Sequence, residues 1–230
     1  MTSTNEGSMA RGLYAVRLYP GTGVVFDRRH EEAKSDLLEE ARQAGIRRTT
    51  GFRRETDAWF YVESDGPVDE AVRRCRDMPA HRELRHHLRD IVDERAGEAG
   101  PTFYREVFHT DRGPALDGPM SRGLLSLVID PERSGDYDSL HAEPWPELID
   151  ALADSGFRNY SGFRRGPHVV YYGEYYPDMR TVFGRMATHE VDARWGEALG
   201  GVITTIRDQD GWLITADEVV HLQPDRSLVG

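Results

Sequence analysis

Three side chains able to move protons or polarise a ligand recur every four residues, Tyr137, His141 and Trp145, and Leu148 and Leu152 follow at i+11 and i+15. At 3.6 residues per turn these positions share one helical face, and an apolar face of that kind must look inward. The leucines there are core. A phenol, an imidazole and an indole N–H on the same stripe need partners once buried, so they are either satisfied core groups or the lining of a pocket. An imidazole titrates near neutrality and can both take and return a proton, so in a pocket His141 is the candidate proton carrier. Tyr137 is then its hydrogen-bonding partner or a second acid. General acid–base catalysis of this type contributes about 10² to 10⁴ in rate.

Other reactive residue types read differently. Glu174 shares a strand face with Tyr172, as Glu63 does with Tyr61, and each carboxylate could serve a ligand or simply accept a hydrogen bond from its phenol. Arg53, Arg54, Arg164 and Arg165 read equally as site groups or as solvated strand-end charges. His81, His86 and His87 lie on an Arg-rich helix without a glutamate-bearing zinc motif. Residues 208–211 read as an acidic loop without the remainder of a calcium site. No glycine-rich phosphate loop or dinucleotide fingerprint occurs, and the single cysteine, Cys75, excludes an internal disulfide and reads as buried filler. Metal ligation and cofactor binding are not expected.

The elements that must position these groups occur twice. Shifted by 111 positions, Arg11-Gly12-Leu13 falls on Arg122-Gly123-Leu124, His30 on His141, Gly45 on Gly156, and Gly51-Phe52-Arg53-Arg54 on Gly162-Phe163-Arg164-Arg165, with no gap. A repeat this long is a whole small domain rather than a solenoid unit. The second copy, residues 122–222, reads as strand 124–129, helix 137–155, strands 159–164 and 168–175, helix 177–199 and strand 216–222. The first copy, 11–109, has strands near 12–19, 47–53, 57–64 and 103–109 and helices near 24–44 and 67–93. Residues 1–10 read as a disordered leader, 110–121 as a linker and 223–230 as a tail. The order β-α-β-β-α-β is the ferredoxin-like split unit. Helices on one face of such a sheet leave its other face bare. The expected fold is therefore α+β: two tandem ferredoxin-like domains whose sheets cover each other as a pseudo-twofold α/β-barrel within one chain.

Tyr137-x3-His141-x3-Trp145-Pro146-Glu147-Leu148, Gly156-x2-Asn159-Tyr160-Ser161, Arg194-Trp195 and Glu218-Val219-Val220 resemble the L-rhamnose mutarotase family across nearly all of residues 122–222. The resemblance implies a cofactor-free isomerase that interconverts anomers of a 6-deoxysugar, with catalytic His141 and Tyr137 and with Trp145 and Trp195 as aromatic walls. Asn159, Tyr160, Tyr172, Glu174 and Phe183 complete the expected substrate-binding set. The first copy departs at nearly every chemical position: Phe26 replaces the tyrosine, Lys34-Ser35-Asp36-Leu37 replaces Trp-Pro-Glu-Leu, and Leu84 stands for Trp195, while His30 persists as a possible second site. That copy reads as mainly structural. Its run from Gly45 through Asp57 to Glu63 is more loosely similar to small aromatic polyketide cyclases, which makes a biosynthetic cyclase or isomerase the alternative and a non-catalytic binding module a third reading.

A net charge of −11 opposes nucleic-acid binding. No apolar run is long enough for a membrane span, so a cytoplasmic protein is expected. The expected partner is a small molecule, either a sugar or an oxygenated polyketide-like intermediate. The chain is expected to be a monomer or a further homodimer of the fused barrel.

Overall fold

The structure, a computed structural model, describes residues 9–93, 102–114, 116–205 and 215–222. Most of the expected leader, the tail and the acidic loop at 208–211 lie outside the described residues. The chain is α+β and runs β1 (Ala10–Arg17), α1 (Gly23–Gln43), β2 (Ile46–Arg54), β3 (Asp57–Ser64), α2 (Val68–Arg76), α3 (Pro79–Leu88) and β4 (Thr102–Thr110). It continues through β5 (Ser121–Ile129), a 3-10 turn (Pro131–Arg133), α4 (Ser134–Ala142), α5 (Pro146–Ser155), β6 (Phe157–Arg165) and β7 (His168–Tyr175). The last elements are α6 (Met179–Met186), α7 (Glu190–Ala198), the short β8 (Ile203–Thr205) and β9 (Thr215–Leu222).

Two compact units divide the chain, 1–104 with 218–230, and 105–217. In the first, β1 lies between β4 and β3, β3 pairs β2, and β9 flanks β2. In the second, β5 lies between β7 and β9, and β7 pairs β6. Each copy thus has the ferredoxin-like strand order, fourth beside first, first beside third, third beside second. The unit boundaries cut through β4 and β9. Residues Leu13, Tyr14 and Ala15 of β1 pair the start of β4, whereas Arg105–Thr110 pair β6. Similarly, Thr215 and Ala216 pair β5.

Each long helix expected from the apolar period, except α1, is broken in two. Pro146 disfavours helical backbone at the residue before it, and Trp145 sits extended at ψ 135°, so α4 stops and α5 restarts with proline in its first turn. Trp145 is therefore a hinge residue between two helices rather than the third member of one continuous stripe. The first copy has Lys34 and Ser35 at the positions of Trp145 and Pro146, and α1 runs unbroken for 21 residues. Pro79 splits the second helix of the first copy in the same way.

The second unit's core joins Ile129, Leu148, Leu152, Val182, Met186 and Val191 with a set of buried tyrosines. The first unit has a core around Phe26, Leu37, Phe60, Leu84 and Leu88, and another in which Cys75 is buried with Ala41, Ile46 and Val72. Burial, first, and the Glu40 charge raise the Cys75 thiol to about 12, as suits packing rather than reactivity. One ion pair is duplicated along with the fold. Arg53 holds Asp27 through Nε and Nη2 at 2.8 and 2.6 Å, and Arg164 holds Asp138 at the same two distances. These two strand arginines are helix-to-strand clamps, and of the two alternatives the solvated strand end does not hold for them.

Candidate active site

His141 lies near the end of α4, and its ring turns back along the helix. Nδ1 reaches the Tyr137 carbonyl at 2.8 Å, while Nε2 meets the Tyr171 hydroxyl at 2.6 Å. A carbonyl only accepts, so Nδ1 carries the proton in the neutral ring and Nε2 presents a lone pair that accepts from Tyr171 O–H. The Tyr171 oxygen in turn is bonded to the Tyr137 hydroxyl, which in this arrangement donates to it. The result is a directed chain from Tyr137 to Tyr171 to His141. Burial holds His141 below its ordinary value, against the backbone bond to Tyr137 and the Asp138 charge, and the neutral imidazole is the resting form near pH 7. Burial also raises the Tyr137 and Tyr171 phenols, which stay protonated donors.

Tyr171 was not among the residues expected from sequence; Tyr172 was. Strand alternation decides between them. Val169, Tyr171, Gly173 and Tyr175 of β7 face the helices, and Val170, Tyr172 and Glu174 face the other way. Tyr172 donates to Glu174 at 3.2 Å on that opposite face, as Tyr61 donates to Glu63 at 2.9 Å in the first unit. Tyr172 and Glu174 are therefore not brought to His141. On the same opposite face, His109 Nδ1 meets Ser161 Oγ at 2.8 Å, and the equivalent His221 meets Thr50 at 2.8 Å.

Aromatic rings wall the His141 side. Tyr137 stacks on His141 with centroids 4.0 Å apart, Trp195 meets it edge-on at 5.3 Å, and Trp145 meets Trp195 edge-on, also at 5.3 Å. The Arg194 guanidinium lies 5.0 Å above the Trp145 ring. Tyr160 stacks on Tyr171 at 5.2 Å, and Phe157 links Tyr160 to Tyr175 and Phe183. The expected residues Tyr137, His141, Trp145, Tyr160, Phe183 and Trp195 thus form one connected aromatic surface. Asn159 sits where the β6–β7 register shifts, with φ of 42°, a left-handed conformation asparagine tolerates, and its N–H donates to Asp111 at 3.0 Å. It shapes the strand that carries Tyr160.

Two further groups belong to this face. Asp192 lies one helical turn before Trp195 on α7, and burial raises its carboxyl; burial first, then the neighbouring Tyr171 and the Asp192 charge, raises Tyr160. Tyr175 is fully buried beside Tyr160. The sequence signal that marks Tyr171 and Tyr175 is the i, i+4 spacing on a strand, which puts both on one face. Tyr172, lying between them, obscures it.

The first unit preserves the frame without the phenols. His30 is buried, its Nδ1 bonds the Phe26 carbonyl at 3.0 Å, and its ring lies 4.2 Å from Phe26 and 5.6 Å from Phe60. Phe26 and Phe60 are the equivalents of Tyr137 and Tyr171. Burial lowers His30, as it does His141. Among the described residues, no group of three or more His, Cys, Asp or Glu side chains is placed to hold a metal ion, and no helix is long and apolar enough to cross a membrane.

Residues 122–222 match the family model of L-rhamnose mutarotase. The L-rhamnose mutarotase of Rhizobium meliloti (strain 1021) is 22% identical over 104 residues, which cover 45% of this chain and 100% of that protein. The L-rhamnose mutarotase of Acidiphilium cryptum (strain JF-5) is 28% identical over 111 residues, with 45% and 99% covered. The similarity therefore takes in whole relatives and less than half of this chain. Over the full chain the likeness is one of fold alone: a monooxygenase candidate from Fusobacterium nucleatum subsp. nucleatum ATCC 25586 aligns with a TM-score of 0.58 at 9% identity, covering 95% of both chains.

Proposed function

We propose that the second unit is a sugar mutarotase that interconverts the anomers of L-rhamnose or a related 6-deoxysugar by acid–base chemistry. The observation that carries this reading is the His141 ring, fixed by its Nδ1 bond to the Tyr137 carbonyl and bonded through Nε2 to the Tyr171 hydroxyl. The similarity of residues 122–222 to L-rhamnose mutarotases supports the substrate class. Mutarotation moves one proton between two oxygens. Tyr171 accepts the proton of the anomeric hydroxyl while passing its own to His141 Nε2, the bond from the anomeric carbon to the ring oxygen breaks, and Tyr171 then gives a proton to the former ring oxygen as Nε2 returns its proton to Tyr171. The open-chain carbonyl then turns about its bond to the neighbouring carbon, and the reverse steps close the ring on its other face. Trp145 and Trp195 supply apolar faces for the C–H side of a sugar, and Asp192 a carboxylate for its hydroxyls. The first unit is a structural partner in this reading, because Phe26 and Phe60 leave His30 no phenol to relay through.

Saturation-transfer NMR of anomer exchange with L-rhamnose and L-fucose tests the reading. His141→Ala should lower kcat by about 10² to 10³, and Tyr171→Phe should lower it by at least about tenfold, since removing a positioned acid–base group costs this much. Absence of acceleration with any sugar, or an unimpaired His141→Ala protein, would refute the assignment. The wall of Phe157, Tyr160, Tyr175 and Phe183 favours one second reading, cyclisation or isomerisation of an aromatic biosynthetic intermediate, for which the same histidine would take a proton from carbon.

A further inference from the structure

Tyr175 is fully buried, yet its hydroxyl has no hydrogen-bond partner among the described residues. A buried, unpaired hydroxyl is costly, so native structures rarely retain one without a use for it. Local packing shows where this one is aimed. The phenol lies back along β7 instead of standing off it: a Cβ on Gly173 would come within 2.8 Å of both the Tyr175 hydroxyl and the Tyr160 ring, and one on Gly123 within 3.0 Å of the Tyr175 ring. Gly123 and Gly173 pair directly across β5 and β7, forming a side-chain-free floor on which the ring rests. The hydroxyl consequently points from the strand end toward Tyr160, whose other neighbour, Tyr171, bonds His141. It stays a protonated donor, because burial raises the phenol far above its ordinary value. The two α6 side chains over this corner, Met179 and Phe183, are only partly buried, and an unbranched methionine repacks readily.

We infer that Tyr175 is a substrate-binding and specificity-determining residue: its hydroxyl donates to one oxygen of the ligand that reaches the Tyr160–Tyr171 wall, entering past Met179 and Phe183. This deepens the mutarotase reading and rests on it, with a sugar hydroxyl as the acceptor. The unpaired donor would make the site discriminate strongly against a ligand lacking that oxygen.

The test compares wild type with Tyr175→Phe, first by thermal unfolding without sugar and then by anomer-exchange NMR with L-rhamnose and its monodeoxy analogues. Loss of an unpaired hydroxyl should leave Tm unchanged or raised. KM should rise about tenfold, as for one lost hydrogen bond to a buried donor, with kcat within about threefold, and the difference should vanish for the one analogue lacking the partner oxygen. A fall in Tm with unchanged KM would overturn the inference, placing the hydroxyl on the Tyr160 ring or a buried water as a structural contact. An unchanged KM and Tm would overturn it as well. A wild-type protein that accelerates no sugar would remove the mutarotase reading and this inference together, whereas an active wild type matched by Tyr175→Phe would remove this inference alone.

Discussion

The two buried histidines are the clearest case of one backbone device put to different ends. In both units an imidazole near one end of the first sheet-facing stripe bonds the carbonyl four residues earlier, and burial lowers its pKa. Folding therefore favours the neutral ring. Below the unfolded value of about 6.5, the unfolded chain binds a proton that the folded ring resists, so stability falls as pH drops through this window and levels off once the folded values are passed. His30→Leu should remove one of these two contributions. Urea titrations between about pH 5 and 7 should show a shallower acid loss than in wild type, while anomer exchange stays within about twofold. An unchanged acid slope would mean that His30 is protonated as readily folded as unfolded, and a lost activity would restore it as a second site.

At the scale of elements, one proline and the surroundings of one shared glycine distinguish the two copies. Pro146 breaks the site helix and leaves Trp145 extended, where it meets Trp195, whereas the proline-free α1 continues straight through. Gly45 and Gly156 each end the helix before a strand with positive φ, 82° and 104°, which only glycine adopts without strain. Their surroundings differ. An added Cβ at Gly45 finds its nearest neighbour 3.8 Å away, but at Gly156 it would lie 2.6 Å from the Tyr176 carbonyl oxygen. Gly45→Ala should therefore cost about 1–2 kcal/mol from backbone conformation alone, and Gly156→Ala at least about 1 kcal/mol more. Denaturant midpoints of the two variants measure the difference, and equal costs would mean that the Tyr176 backbone yields freely.

Over the whole molecule, the repeat seen in sequence and the compact units of the structure do not coincide. The stretch similar to mutarotases begins at residue 122, but the unit holding His141 begins at Arg105, because Arg105–Thr110 of β4 pair with β6 and Phe108 packs edge-on against His141. A chain of residues 122–222 alone would leave the β6 edge unpaired and uncover one side of the histidine. Such a fragment should self-associate or precipitate and lose at least about tenfold in kcat, for unpaired strand edges template further pairing. Sedimentation velocity beside anomer-exchange NMR checks this. A monomeric, fully active fragment would show that the β4 segment is dispensable.

Periodicity and local chemistry sufficed for much of this protein. The ferredoxin-like order was legible from the repeat at an offset of 111 residues, and the third strand of each copy at its observed ends and the stripe of Tyr137 and His141 follow from patterns within a few residues of chain, since alternation and helical period are set locally. Asn159 and Tyr160 are named through motif resemblance alone, and in the structure they lie at a register shift of β6 against β7. Contacts between residues far apart in sequence required the fold. Tyr171 on Nε2, Asp192 behind Tyr160, the Arg164–Asp138 clamp and the unpaired Tyr175 hydroxyl each depend on which face of one element meets which face of another. A run of adjacent tyrosines states that one of them must face the helices. Only the register of β7 against β5 and β6 determines which one does, because a one-residue slip would exchange Tyr171 for Tyr172.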